Sequence, residues 1–248
     1  MILKDFSLLP EDVLYEIKLS GRIYAATEAL ISEKIVSQIA AELKIEVEEE
    51  EIKKEADKIR LANRIYKPEE TWIWLKKQGL SLEDFKRIAR RNILANKLAK
   101  SLFGDQVKDY FIANKLSYHA ATIYEILFDD LDLATEIYQA VLDKQLDFSQ
   151  AAKEYSQDIH AKRSGGYKGT LKYQQLKPEF AAAIFGSHAP QLLKPLVTSK
   201  GAHLIYVEEI IIPELDGVLE KKIIIDLFNA WMKKQLMEVD IIQLIKNL

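Results

Sequence analysis

Cysteine is absent from the 248 residues, which removes disulfides, thiolate metal sites and thiol nucleophiles together. A zero count is compatible with any compartment. No apolar run approaches the ~20 residues that span a bilayer, so no membrane span is expected. The opening residues, MILKDFSLLPEDVLYEIKL, lack the apolar stretch of roughly 7–15 residues that a secretory signal needs, and Asp5 interrupts them early. As given, the chain is expected in the cytoplasm; if it is a processed mature form, it is periplasmic or otherwise exported. An excess of either charge is also missing. Lys+Arg 35 against Asp+Glu 38 leaves a net charge of −3, so nothing in the whole chain points to nucleic acid or to an anionic membrane surface. Glycine is scarce, and three of the nine residues fall within five positions, at Gly165, Gly166 and Gly169.

What is present is 48% apolar residues, enough for one or two buried cores. From residue 10 to about 117 the apolar period is helical. Ile31, Ile35, Ile39 and Leu43 recur every fourth position, and Ile52, Ala56 and Ile59 continue the period after an acidic turn. The run Glu48–Glu51 fits a solvated helix N-terminus favoured by the helix dipole. In GLSLEDF, Ser81 and Asp84 have capping-box spacing, so a helix is expected over 82–102 carrying Leu82, Phe85, Ala89 and Ile93.

Near residue 118 the character changes. ATIYEILF reads as a strand. A helix carrying Leu133, Ile137 and Val141 follows, then a short helix from Asp147, the glycine turn, a helix at PEFAAAIF, and two extended segments, KPLVTS and AHLIYVEEI. This order predicts a small α+β domain over 118–212 with helices packed on a sheet. From Pro213 a long helical pattern returns, with a stripe of Ile225, Phe228, Met232, Leu236 and Val239. That stripe requires burial, and the N-terminal helices over 1–117 are the nearest candidate. The segment 213–248 then completes the helical domain, and the α+β domain is an insertion within it.

The succession YSQD, a basic spacer, GGYKG, PEF and GAHLIYV resembles the parvulin type of peptidyl-prolyl cis/trans isomerase, over about residues 118–210. LKIEVEEEEI followed by GLSLEDFKRIARRNILANKL is similar to the helical N-terminal domain of SurA-type folding factors. The resemblance implies an α+β protein: a SurA-like chaperone domain of N-terminal helices plus the C-terminal helix, with an inserted parvulin-like (PpiC-type) domain. It implies a protein-folding factor that binds unfolded or proline-containing polypeptides, without a cofactor or metal.

Isomerisation breaks no bond. A catalyst must hold the twisted amide better than the planar one, with an apolar pocket for the ring and a few polar groups aimed at the amide. Carried over by motif, Leu176 and Phe180 line the proline pocket with Phe185 nearby, and Asp158 and His203 supply its polar side. In this family a second histidine usually stands on the first strand. Here the segment is IYEIL, so Tyr124 or Glu125 takes that place. GGYKG replaces the family's GGDLG, and Lys200 stands where an aromatic residue usually precedes G-x-H. These departures lead us to expect weak or lost isomerase activity; a fully active isomerase and a non-catalytic adaptor for one folded partner are the alternatives. Asp158, His160 and His203 lack metal-ligand spacing. Finally, Lys162, Arg163, Lys168 and Lys172 lie between His160 and Leu176 with no carboxylate among them, and Lys177, Lys194 and Lys200 fall in segments that the resemblance places nearby. Both a solvated loop and a rim that prefers clients with acidic flanks fit this excess.

Overall fold

The computed structural model describes residues 7–246; the segment around Asp5 lies outside them. Helices come first: α1 (Pro10–Leu19), α2 (Ile23–Glu42), α3 (Glu49–Ala62), α4 (Pro68–Gln78), α5 (Leu82–Phe103) and α6 (Val107–Ala113). Their starts follow local chemistry. Pro10 and Pro68 occupy the first turn, where a missing N–H costs nothing. Ser81 Oγ accepts from the Asp84 backbone N–H at 3.1 Å while Asp84 Oδ2 accepts from Ser81 N–H at 2.9 Å, closing the capping box. Glu51, within the acidic run, accepts from the Glu48 backbone N–H at 2.9 Å and pairs with Lys97 at 2.6 Å.

The next elements are β1 (Ala120–Phe128), α7 (Leu131–Leu142), α8 (Phe148–Tyr155), α9 (Ile159–Ser164), β2 (Tyr167–Lys172), α10 (Pro178–Phe185), β3 (Gln191–Leu192), β4 (Leu196–Thr198) and β5 (Gly201–Ile211). The sheet is antiparallel in the order β2-β1-β5-β3, with β4 also pairing β5. β1 and β5 alternate so that each serves two cores. Ile126, Phe128, Ala202 and Leu204 pack against α7 and α8, while Ala121, Ile123, Ile205 and Val207 pack with Ile184 of α10. Strand β2 and helix α9 were not expected from the sequence. YKGTLK carries two lysines and a glycine, poor strand formers on their own, and becomes a strand by pairing along β1. Its lysines suit an edge.

The chain closes with α11 (Gly217–Met237) and α12 (Ile241–Lys246), so the long terminal pattern is two helices rather than one. The first ends at Met237 and Asp240 starts the second, its carboxylate accepting from Gln243 N–H at 2.9 Å. Val239 therefore lies in the turn between them. The chain divides into one unit of Met1–Val107 with Gly217–Leu248 and another of Lys108–Asp216.

In the first unit α5 is central. Ala89 and Ile93 pack on Ile52, Ala56 and Ile59 of α3, and Leu98 meets Val36 of α2 and Met232 of α11, flanked by Phe228, Trp231 and Leu236. A fully buried side chain such as Leu98 contributes roughly 1.5–3 kcal/mol. The stripe of α11 is displaced by one residue from its expected start: Ile224 is buried while Ile225 is 50% exposed, because a 3.6-residue period reaches back from Phe228 to 224. Leu43 and Leu82 are also exposed. Each sits at a helix end, beyond the packed stretch.

Candidate functional site

The glycine turn places the site's polar half. Gly166, with φ +86°, passes so close to β1 that an added Cβ would lie 3.2 Å from the Glu125 carbonyl oxygen and 3.0 Å from Phe148 Cε1. That approach lets the Glu125 N–H donate to the Gly166 carbonyl at 2.8 Å. One residue into β2 the register shifts: Tyr167 pairs with Tyr124 and Gly169 with Ile123, leaving Lys168 as the extra residue of a bulge. Bulges re-aim side chains, and Lys168 points its ammonium to Glu125 Oε2, 3.2 Å away, and to Asp158 Oδ2, 3.8 Å away.

On β5, Leu127 faces His203 and Glu125 faces Ile205, so Glu125 and His203 are diagonal neighbours on one face. His203 Nδ1 lies 2.6 Å from Glu125 Oε1, and its Nε2 lies 2.8 Å from Thr198 Oγ1. Thr198 Oγ1 also accepts from the Lys200 backbone N–H at 3.1 Å. The imidazole is nearly buried, and Phe180 meets it edge-on with ring centroids 4.9 Å apart.

In front of this pair lies a cleft of about 210 Å³, lined by apolar Ile123, Leu171, Leu176, Phe180 and Ile205, with Gln175, Lys177, Thr198, Lys200, Glu125 and His203 completing its wall. It is smaller than a typical drug-sized pocket of roughly 300–1,000 Å³ and suits one ring. Chemically it offers an apolar seat, a saturated carboxylate–imidazole–hydroxyl chain, and ammonium groups at the mouth.

Of the sequence-based candidates, the structure brings together Glu125, Leu176, Phe180, Lys200 and His203. Tyr124 does not join them. It faces the other side of the sheet, against Phe148, Tyr167 and Tyr206, because neighbouring residues on a strand point to opposite faces. Burial there, and Glu208 close to its hydroxyl, push the Tyr124 phenol up from its usual value. Phe185 is also outside the cleft, packed against His119 and Tyr173: five residues after Phe180, it has turned past the pocket. Asp158 caps α9, accepting from His160 N–H at 2.8 Å. That bond first, and Lys168 as well, hold its carboxyl below the ordinary value. It reaches the cleft only through Lys168. Sequence reading missed Ile123, Leu171, Thr198 and Ile205 as wall residues and Lys168 as part of the network. The two-residue period from His203 would have found Ile205, and a glycine inside a strand, Gly169, is a bulge signal. Among the described residues no group of three or more His, Asp or Glu could hold a metal ion, and no helix is long and apolar enough to cross a membrane.

With this geometry in view, residues 129–209 match the family described as Rotamase: PPIC-type PPIASE domain, and the second unit carries a parvulin-type domain. The chain as a whole is similar to foldase proteins PrsA. It is 28% identical over 211 residues to that of Caldanaerobacter subterraneus subsp. tengcongensis, covering 84% of this chain and 65% of the relative. With PrsA of Clostridium botulinum strain Hall the identity is 31% over 214 residues, covering 78% and 62%. The chain thus spans just under two thirds of the length of these relatives. Among solved structures, the peptidylprolyl isomerase (PrsA) of Bacillus cereus is 22% identical with a TM-score of 0.48, covering 97% of this chain and 91% of that one.

Proposed function

We propose that this protein is a folding factor that holds unfolded or extended polypeptide segments, and that its parvulin-type domain is a weak isomerase. The similarity to foldases supports the first part. So does an apolar groove of about 470 Å³ in the helical unit, walled by Ile52, Ala56, Trp72, Leu75, Leu82 and Phe85, where Trp72 is 59% exposed. A site of action outside the cytoplasm, open to a processed form, goes with this reading; cell fractionation tests it.

One observation carries the second part: the polar groups at the back of the cleft are already bonded to each other. Glu125 has both oxygens engaged and His203 both ring nitrogens. Rotation about X–Pro faces a barrier of about 18–20 kcal/mol, and lowering it requires donors free to meet the twisted amide. The apolar seat binds a proline ring, and the bonded chain behind it supplies little that grows stronger as the amide twists. Lys177 and Lys200 at the mouth favour clients with acidic flanks. The experiment pairs aggregation suppression of an unfolded client with exchange measurements of cis/trans isomerisation on X–Pro peptides, using the full chain. Suppression with slow turnover is expected. Turnover equal to that of an ordinary parvulin domain overturns the weak-isomerase reading, and no suppression overturns the folding-factor reading.

A further inference from the structure

Lys168 reaches Glu125 from a bulge, and its position decides what Glu125 can do to His203. Its side chain is 35% exposed, against 21% for Glu125 and 9% for His203, so it approaches the carboxylate from the solvent side. A bare carboxylate against a buried imidazole draws a second proton onto the ring, because an opposite charge nearby favours the charged form. Here the ammonium 3.2 Å from Oε2 already balances the carboxylate. On the other side of the ring, Thr198 Oγ1 receives the Lys200 backbone N–H, and its own hydroxyl proton is free to be donated to Nε2 across 2.8 Å. That bond needs Nε2 without a proton. The remaining ring proton then sits on Nδ1 and is donated to Glu125 Oε1.

We infer that Lys168 is a positioning residue of the cleft: by balancing Glu125 it keeps His203 neutral, in the Nδ1–H tautomer, edge-on to Phe180. The charged groups around the ring are Glu125 from β1, in contact with it, Lys177 from the start of α10 and Lys200 from the β4–β5 turn in the cleft wall, and, beyond Glu125, Lys168 from β2 with its second partner Asp158 from the start of α9. Three cations against two carboxylates oppose a further positive charge on the imidazole. Lys168→Met removes one of the three and leaves Glu125 Oε2 without its ammonium. The ring then takes up a proton at Nε2, Thr198 turns from donor to acceptor, and the positive charge that balances Glu125 moves from the lysine onto the ring beside Phe180. The consequence for clients rests on the cleft being the proline seat proposed above; the tautomer itself does not.

The test is nitrogen NMR of the His203 ring in the full chain at neutral pH, for the parent, Lys168→Arg, Lys168→Met and the double variant Lys168→Met with Glu125→Gln. The parent is expected to show one protonated and one pyridine-type nitrogen, with the proton on Nδ1. Lys168→Arg keeps that pattern, Lys168→Met loses the pyridine-type signal, and the double variant regains it. A parent ring protonated on Nε2, or on both nitrogens, overturns the inference without any variant and so decides the matter even if Lys168→Met does not fold. A folded Lys168→Met with the parent's ring signals overturns it too. Failure of the folding-factor reading appears in the aggregation and turnover assays and leaves these signals where they are.

Discussion

Gly166 and Gly169 share a positive φ, +86° and +84°, and differ in what surrounds them. Alanine at either position costs about 1–2 kcal/mol for a left-handed backbone that an L side chain resists. A Cβ on Gly169 meets nothing among the described residues within 4 Å, so that is its whole cost. A Cβ on Gly166 would stand 3.0 Å from Phe148 Cε1, 3.2 Å from the Glu125 carbonyl oxygen and 3.3 Å from Ala152 Cβ. None of these is the loose end of a flexible chain: Phe148 and Ala152 are buried and the oxygen belongs to β1. Overpacking of this kind adds roughly 1–3 kcal/mol, an extra factor of roughly 5–150 in the opening equilibrium.

The assay can separate the two units, because all three tryptophans, Trp72, Trp74 and Trp231, lie in the first. Tryptophan fluorescence in urea follows that unit, while hydrogen exchange of β1 and β5 amides follows the second. Gly166→Ala is expected to speed exchange in β1 and β5 by the stated factor beyond Gly169→Ala, with the tryptophan transition unmoved in both. Equal losses in the two variants, or a larger loss in Gly169→Ala, would refute the close approach of the turn to β1.

Met232→Ala, at the junction of α2, α5 and α11, should destabilise the helical unit by about 2–5 kcal/mol, whereas Ile225→Ala should stay within about 0.5 kcal/mol; urea transitions of the two variants decide, and similar losses would contradict the observed stripe. The Asp158 carboxyl is held below its ordinary value of 3.8, so its contribution is present above that pH and fades as pH falls through the lower native value. Protection of the α9 amides, taken relative to the intrinsic exchange rate at each pH, should therefore fall on acidification below pH 3.8 in the parent and change less in Asp158→Asn; equal pH dependence would count against the cap. If the mouth of the cleft selects acidic flanks, an acidic X–Pro peptide should bind better than its basic counterpart at low salt. The preference should shrink at high salt, where charges beyond about 3 Å are screened, and in Lys200→Phe; a preference that survives both would rule out the lysine rim.

Much of the architecture was legible because local signals and burial agreed. The capping box at Ser81, the four-residue period of α2 and α3, and the apolar run of β1 each name their element without help from the rest of the chain. The terminal helix was legible for another reason: a stripe with no partner in its own segment must be buried elsewhere, and Val36 of α2 and Leu98 of α5 meet it within the first unit. What escaped were features that exist only through pairing. YKGTLK has no strand character until β1 lies beside it, and the break at Asp240 depends on a side chain capping a turn inside an otherwise continuous apolar pattern. Leu43 and Leu82 fit the period and are exposed, because periodicity gives the direction of a side chain and not where the opposing surface ends.

The site divides along the same line. Phe180, Leu176 and His203 come from contiguous motifs, so their faces follow from one helix or one strand. Glu125 against Tyr124 is a question of register, and a slip of one residue exchanges the two faces completely. No pattern within IYEIL settles it, since both sides of β1 are apolar around it. The pairing with β5 does, by placing Glu125 diagonal to His203. A carboxylate in that seat would be an uncompensated charge beside a buried ring, and the same bulge that breaks the β1–β2 register delivers the lysine that balances it. Glu125 and Lys168 are 43 positions apart in the chain and are intelligible only as a pair: either one alone reads as an ordinary surface charge, and together they form an ion pair beside His203.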